Sequence, residues 1–145
     1  MEMLQASWGE AMSQDPSLVT IEDIEDLYYK TTLDFTSGTH FEVGQAYAQA
    51  IVAIKPTYGA IIDNFLSLSA EAAPDHPQLE TLVSQAKNLI ADMPQAYVQE
   101  LLGMTTVFNY PIDKLGDGIL SANELLVFEV VHDVIDPGSC SATAV

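Results

Sequence analysis

Leu79, Leu82, Val83, Ala86, Leu89, Ile90 and Met93 recur at helical spacing, and a second stripe follows Pro94 through Tyr97, Leu101, Met104 and Phe108. Apolar residues three and four apart line one face of a helix, whereas a half-buried strand would need alternation. Proline lacks an amide donor and crowds the preceding turn, so it cannot sit inside a regular helix. The pattern therefore predicts two helices meeting at Pro94, each with an apolar face that must be covered. Upstream, Phe41–Ala53 and Tyr58–Leu68 repeat the arrangement around Pro56. Downstream, Ser121 followed three residues later by Glu124 is a capping box. It opens a helix over Leu125–Ile135 that turns Leu125, Phe128, Val131 and Ile135 inward. The expected fold class is mainly α, with one or two short strands that pair with something else.

The remaining segments are shorter. Asp15, Pro16 and Ser17 signal a turn, and Thr20 through Asp23 predict a capped acidic helix reaching Tyr28. Lys30–Phe35 carries β-favouring residues in partial alternation, which predicts one strand, and Ser37–Thr39 a turn. Ala70–His76 reads as a linker, with Asp75 as cap and Pro77 as an early helical residue opening the Leu79–Met93 helix. This divides the chain into an amino-terminal arm, 1–36, and a helical region, 37–145. No internal repeat and no low-complexity tract interrupts it.

Charge narrows the function classes. The formal net charge is −17, from 21 acidic residues against Lys30, Lys55, Lys87 and Lys114, with no arginine. The charge disfavours nucleic acid and anionic membrane surfaces as partners by repulsion, and the bidentate clamp for carboxylate or phosphate is missing. An apolar content of 48% supplies a core within 145 residues. A single cysteine forbids an internal disulfide. The opening residues carry no basic n-region of a secretory signal. The longest apolar stretch, Val43–Ile62, contains Lys55 and Pro56 and is a poor membrane span.

The frame Pro94, Gln95, Tyr97, Glu100, Leu101, Gly103, Met104, closing on Asn109, is followed about thirty residues later by Cys140. It resembles the segment before the nucleophile in the acid ceramidase and N-acylethanolamine acid amidase family of N-terminal-nucleophile cysteine hydrolases. The segment from Gly38 to Gly44, with Phe41 and Glu42, is similar to an opening found in acyltransferases of the same superfamily. The resemblance implies that Cys140 is the nucleophile and cuts its own amino-terminal peptide bond. It implies a helical pro-segment or α-subunit that completes an αββα sandwich, fatty-acid amides as substrates, and a lysosomal or secretory address. In that family, the arginine, aspartate and asparagines that bind substrate and form the oxyanion site lie downstream of the cysteine. This chain supplies none of them, so alone it is expected to be inactive, and lipid amide would bind only with the catalytic half present. The sequence also departs from the family between helix and cysteine, where Pro137 and Gly138 lengthen the connection, and Ser141–Val145 keeps only the size and β tendency of the following strand.

Two further expectations come from residues alone. Asp113 through Glu124 follows the EF-hand calcium loop: Asp113 first, Asp117 fifth, Gly118 sixth, the Ile119 carbonyl seventh, Ser121 ninth and Glu124 twelfth. Leu115 occupies the third position, where an oxygen ligand belongs, and no second loop is present to pair with it. The competing reading is a turn made by Gly116 and Gly118, leading into the capping box. His40, His76 and His132 have no metal spacing, so no cofactor is expected apart from this calcium alternative. Finally, apolar stripes and an unmated strand at Ser141–Val145 predict contact between Leu125–Val145 and another polypeptide. That partner would be a catalytic β-subunit or, for an inert structural subunit, a larger assembly.

Overall fold

The computed structural model describes residues 18–134, with the side chains of His132 and Asp133 excepted. The expectations for the first seventeen residues, Ile135, Cys140 and the strand at Ser141–Val145 lie outside the described residues. The chain is mainly helical. A two-stranded antiparallel sheet, β1 (Val19–Ile24) and β2 (Tyr28–Leu33), precedes helices α1 (His40–Ile54), α2 (Tyr58–Ala72), α3 (Leu79–Ala91), α4 (Gln95–Thr105), α5 (Ala122–Glu129) and the single turn α6 (Val131–Val134).

The acidic helix expected over Thr20–Tyr28 is instead β1 and a tight turn, and the strand expected at Lys30–Phe35 starts two residues earlier as β2. Thr20 pairs with Thr32, Ile21 with Thr31 and Glu22 with Lys30. The density of β-branched residues on both strands favours this pleated pairing over a local cap. Glu25 and Asp26 both take left-handed φ values, 53° and 59°. Consecutive left-handed residues match the twist of a hairpin. The Leu27 amide closes the turn on the Ile24 carbonyl at 2.9 Å, and Asp23 accepts from the Asp26 amide at 3.0 Å.

Leu18, Val19 and Leu33 then pack on Val43 and Ala46, which lays the hairpin's inner face on α1. Thr39 and Glu42 cap α1 reciprocally: the Glu42 amide donates to the Thr39 hydroxyl, and the Glu42 carboxylate accepts from the Thr39 amide. Pro56 separates α1 from α2 as its missing amide requires. The start of α3 falls at Leu79 after Gln78, three residues beyond the expected Asp75 cap. His76 adopts a φ of 43°, which no helical turn can include.

The main core lies among α2, α3, α4 and α5, where Leu66, Leu82, Leu125 and Val127 are wholly buried. Most of the expected stripe on α3 holds: Leu82, Ala86 and Ile90 are buried, with Leu79, Val83 and Met93 packed beside them, but Leu89 is exposed and corrects that expectation. On the second stripe Leu101, Met104 and Phe108 are buried, but Tyr97 is 62% exposed and corrects that expectation. Tyr97 sits in the first turn of α4, beyond the neighbours that cover the rest of the stripe.

Candidate functional site

Gly44 on α1 and Gly103 on α4 meet where the two helices cross. A Cβ built on Gly44 would fall on the Glu100 carbonyl oxygen, and one on Gly103 would fall on the Phe41 carbonyl oxygen. The absence of both side chains lets backbone touch backbone, as at small-residue helix crossings elsewhere. The crossing joins the Gly38–Gly44 segment to the Met93–Asn109 frame, which the sequence keeps about fifty residues apart. Beside it, Leu33, Phe35, His40, Ala96, Tyr97 and Glu100 line a small cavity. The His40 ring lies 4.6 Å from Phe35, and its Nδ1 is buried without a hydrogen-bond partner. Burial raises the Glu100 carboxyl, against a lowering influence from His40. Burial likewise raises Glu129, and Glu100 adds to the rise.

The second constellation surrounds the loop ahead of α5. Ser121 and Glu124 form the predicted capping box: the Glu124 amide donates to the Ser121 hydroxyl at 3.1 Å, and the Ser121 amide to Glu124 Oε2 at 2.6 Å. The other calcium-ligand candidates turn elsewhere. Asp117 accepts from the Ile119 amide at 3.0 Å, and Asp113 accepts from the Asn123 side chain at 2.7 Å. Leu115, at the position that lacks a ligand oxygen, packs on the core and anchors the loop. Among the described residues no group of three or more His, Cys, Asp or Glu side chains is placed to hold a metal.

The loop amides instead converge on an anion. Gly116 and Gly118, with φ values of 79° and 84°, donate to Asp63 Oδ1 at 2.8 Å and Oδ2 at 2.7 Å. Successive amides in such turns form concavities that bind negative charge. Asp63 comes from the middle of α2 and is 1% exposed; Glu124 is fully buried beside it. Burial pushes the Glu124 carboxyl up to about 7, and the neighbouring Asp63 carboxylate adds to the rise against the hydrogen bonds from Ser121. Glu124 Oε1 has no partner of its own. With neither group open to solvent, the pair can hold a proton but cannot hand one to a substrate. Sequence reading missed Asp63. The available signal was an acid at position 63 between the apolar pairs Ile61–Ile62 and Phe65–Leu66, on the side of α2 that buries Ile62, Leu66 and Ala70.

A third feature is open. Ile21 and Tyr29 of the hairpin, Tyr47 and Ile51 of α1, and Tyr58 and Ile61 of α2 line an apolar groove of about 550 Å³. Burial raises the phenols of Tyr47 and Tyr58, and nearby Glu129 contributes to both. Asn109, which closes the Met93–Asn109 frame, is exposed and lines a separate cleft with Gly59, Phe108 and Ile119. No helix of the described residues is long and apolar enough to cross a membrane. Comparison with known proteins adds no relative: no family model matches the chain, and no curated protein or solved structure is significantly similar to it.

Proposed function

We propose that this chain is the α-subunit-like portion of a fatty-acid amide hydrolase whose cysteine N-terminal nucleophile is Cys140, and that it is inactive by itself. The observation that carries the reading is the Gly44–Gly103 crossing. Two segments that resemble this superfamily separately in sequence turn out to be the two halves of one backbone contact. In the complete enzyme the helical layer would cover an αββα sandwich, and the apolar groove beside Tyr47 and Tyr58 would face lipid or the catalytic half.

The test is processing. In the protein from its natural source, acidification should yield one fragment ending at Ser139 and another starting at Cys140, and Cys140→Ala should abolish the cut. The isolated 145-residue chain should show no Cys140-dependent amide hydrolysis, because the oxyanion donors that dominate such catalysis are not in it. Cleavage that persists in Cys140→Ala would assign the cut to another protease and remove the nucleophile.

The groove and the exposed hairpin favour a second reading, an inert structural subunit docking through apolar surface. Tyr28 and Tyr29 are 60% and 56% exposed, more apolar surface than a two-stranded hairpin needs for itself. A native complex lacking any fragment that starts at Cys140 would favour this reading over the hydrolase.

A further inference from the structure

Asp63 and Glu124 are acids on different elements, α2 and α5, and both are withdrawn from water. Their hydrogen bonds are unequal. Asp63 spends both oxygens on the Gly116 and Gly118 amides, while Glu124 spends only Oε2, on the Ser121 amide. Glu124 Oε1 is left buried and unpartnered. An ionised oxygen in that position would be both unsatisfied and beside a like charge, a costly combination. A protonated one becomes a donor, and the Asp63 carboxylate is the acceptor next to it.

We propose that a protonated Glu124 donates to the Asp63 carboxylate and that the pair acts as a pH-responsive lock fastening the Gly116–Gly118 loop and the first turn of α5 onto α2. With the proton in place, Asp63 receives two loop amides and the Glu124 hydroxyl, so one carboxylate ties together three segments. When the proton leaves, two buried negative charges face each other with no cation of the described residues between them. The elements around the pair carry other charged groups: Glu80 and Lys87 on α3, Glu100 on α4, Asp113, Lys114 and Asp117 in the loop, and Glu129 on α5 itself. The carboxylate acting on Glu124 is that of Asp63. On α6, His132 and Asp133 have side chains outside the described residues. Opening is the expected response, because separating the carboxylates requires the loop or the α5 amino terminus to move out toward water. Leu115 and Leu120, which hold the loop on the core, would keep the rest of the fold assembled.

The proposal stands on this pair alone and does not depend on Cys140 or on any hydrolase activity. It is tested on the full chain by amide hydrogen exchange, with rates corrected for intrinsic pH dependence. Between about pH 5.5 and 8.5, protection at Gly116, Gly118 and Glu124 should fall on the order of tenfold or more, while Leu66 and Leu82 stay protected. Glu124→Gln, which keeps a donor at the same place at every pH, should remove that dependence. Carbon-13 titration of the Glu124 carboxyl in the unsubstituted chain gives a second readout that needs no variant, and its midpoint should lie near 7. A midpoint near the ordinary glutamate value would overturn the lock. So would loop protection that is flat with pH, or one that changes equally in Glu124→Gln.

Discussion

The α1–α4 crossing and the Asp63–Glu124 cluster both bring distant segments together, and they do it by opposite means. At the crossing, Gly44 and Gly103 remove side chains so that helices approach until each glycine rests on a carbonyl of the other helix. At the cluster, a charged side chain is added to the interior and the backbone bends round to meet it, with Gly116 and Gly118 amides on Asp63. The first contact is made by backbone atoms alone, with the Glu100 and His40 side chains beside it rather than within it. The second is conditional on a proton. A fold can therefore carry one rigid joint and one adjustable joint, and the difference is visible in which atoms make the contact.

The largest expected effect breaks the rigid joint. Gly44→Ala or Gly103→Ala drives a methyl group into backbone that cannot rotate away, unlike a flexible side chain. Each should cost about 2–4 kcal/mol in denaturant unfolding, with the two sharing one interface and so combining non-additively. Full stability in both variants would mean that the helices do not approach as closely as described.

A somewhat smaller effect separates the joints by pH. Glu124 has a folded-state value of about 7 against 4.5 for an unperturbed glutamate, so between these values the folded chain binds a proton that the unfolded chain has lost. Stability must then fall as pH rises through that window and recover on acidification, by up to about 3 kcal/mol for this group. Glu129 and Glu100, also raised by burial, act in the same direction. Chemical denaturation across the window should show the fall, and Glu124→Gln should flatten most of it. Gly44→Ala should shift the whole curve downward without changing its slope. An identical slope in Glu124→Gln would assign the pH dependence to the general negative charge of the chain.

The smallest effect compares two capping boxes of the same design. Ser121 is buried at the conditional joint, and Thr39 is exposed at the start of α1. Ser121→Ala leaves a buried amide and Glu124 short of partners and should cost about 1–2 kcal/mol, whereas water can replace the hydroxyl in Thr39→Ala, which should cost about 0.5–1 kcal/mol. Equal losses measured by thermal unfolding would indicate that water reaches the Ser121 cap as well.

Some of this was readable from the chain and some was not. The stripe Leu82, Ala86, Ile90, the break at Pro56 and the box from Ser121 to Glu124 are local patterns, each spanning a few turns at most. Helical spacing and cap chemistry act over that range, so sequence alone determined the mainly α class and most of the helices, although the single helix expected over Leu125–Ile135 breaks at Val130 into α5 and α6 and the linker expected from Ala70 is helical through Ala72. The hairpin was misjudged because Thr20 through Asp23 satisfies a local capping rule. The stronger influence is pairing with Tyr28–Leu33 and burial of Val19 and Leu33 against Val43. The Asp75 cap failed for a similar reason, since His76 takes a left-handed turn that delays α3 to Leu79. The calcium pattern at Asp113, Asp117 and Glu124 was legible as spacing. What the spacing did not show is that Asp63, about fifty residues away, gathers the Gly116 and Gly118 amides of that loop. Only the tertiary structure could place Gly44 on Glu100 and Asp63 beside Glu124, because those contacts depend on how α1 meets α4 and α2 meets α5, and no periodicity along one helix encodes the neighbour it will find.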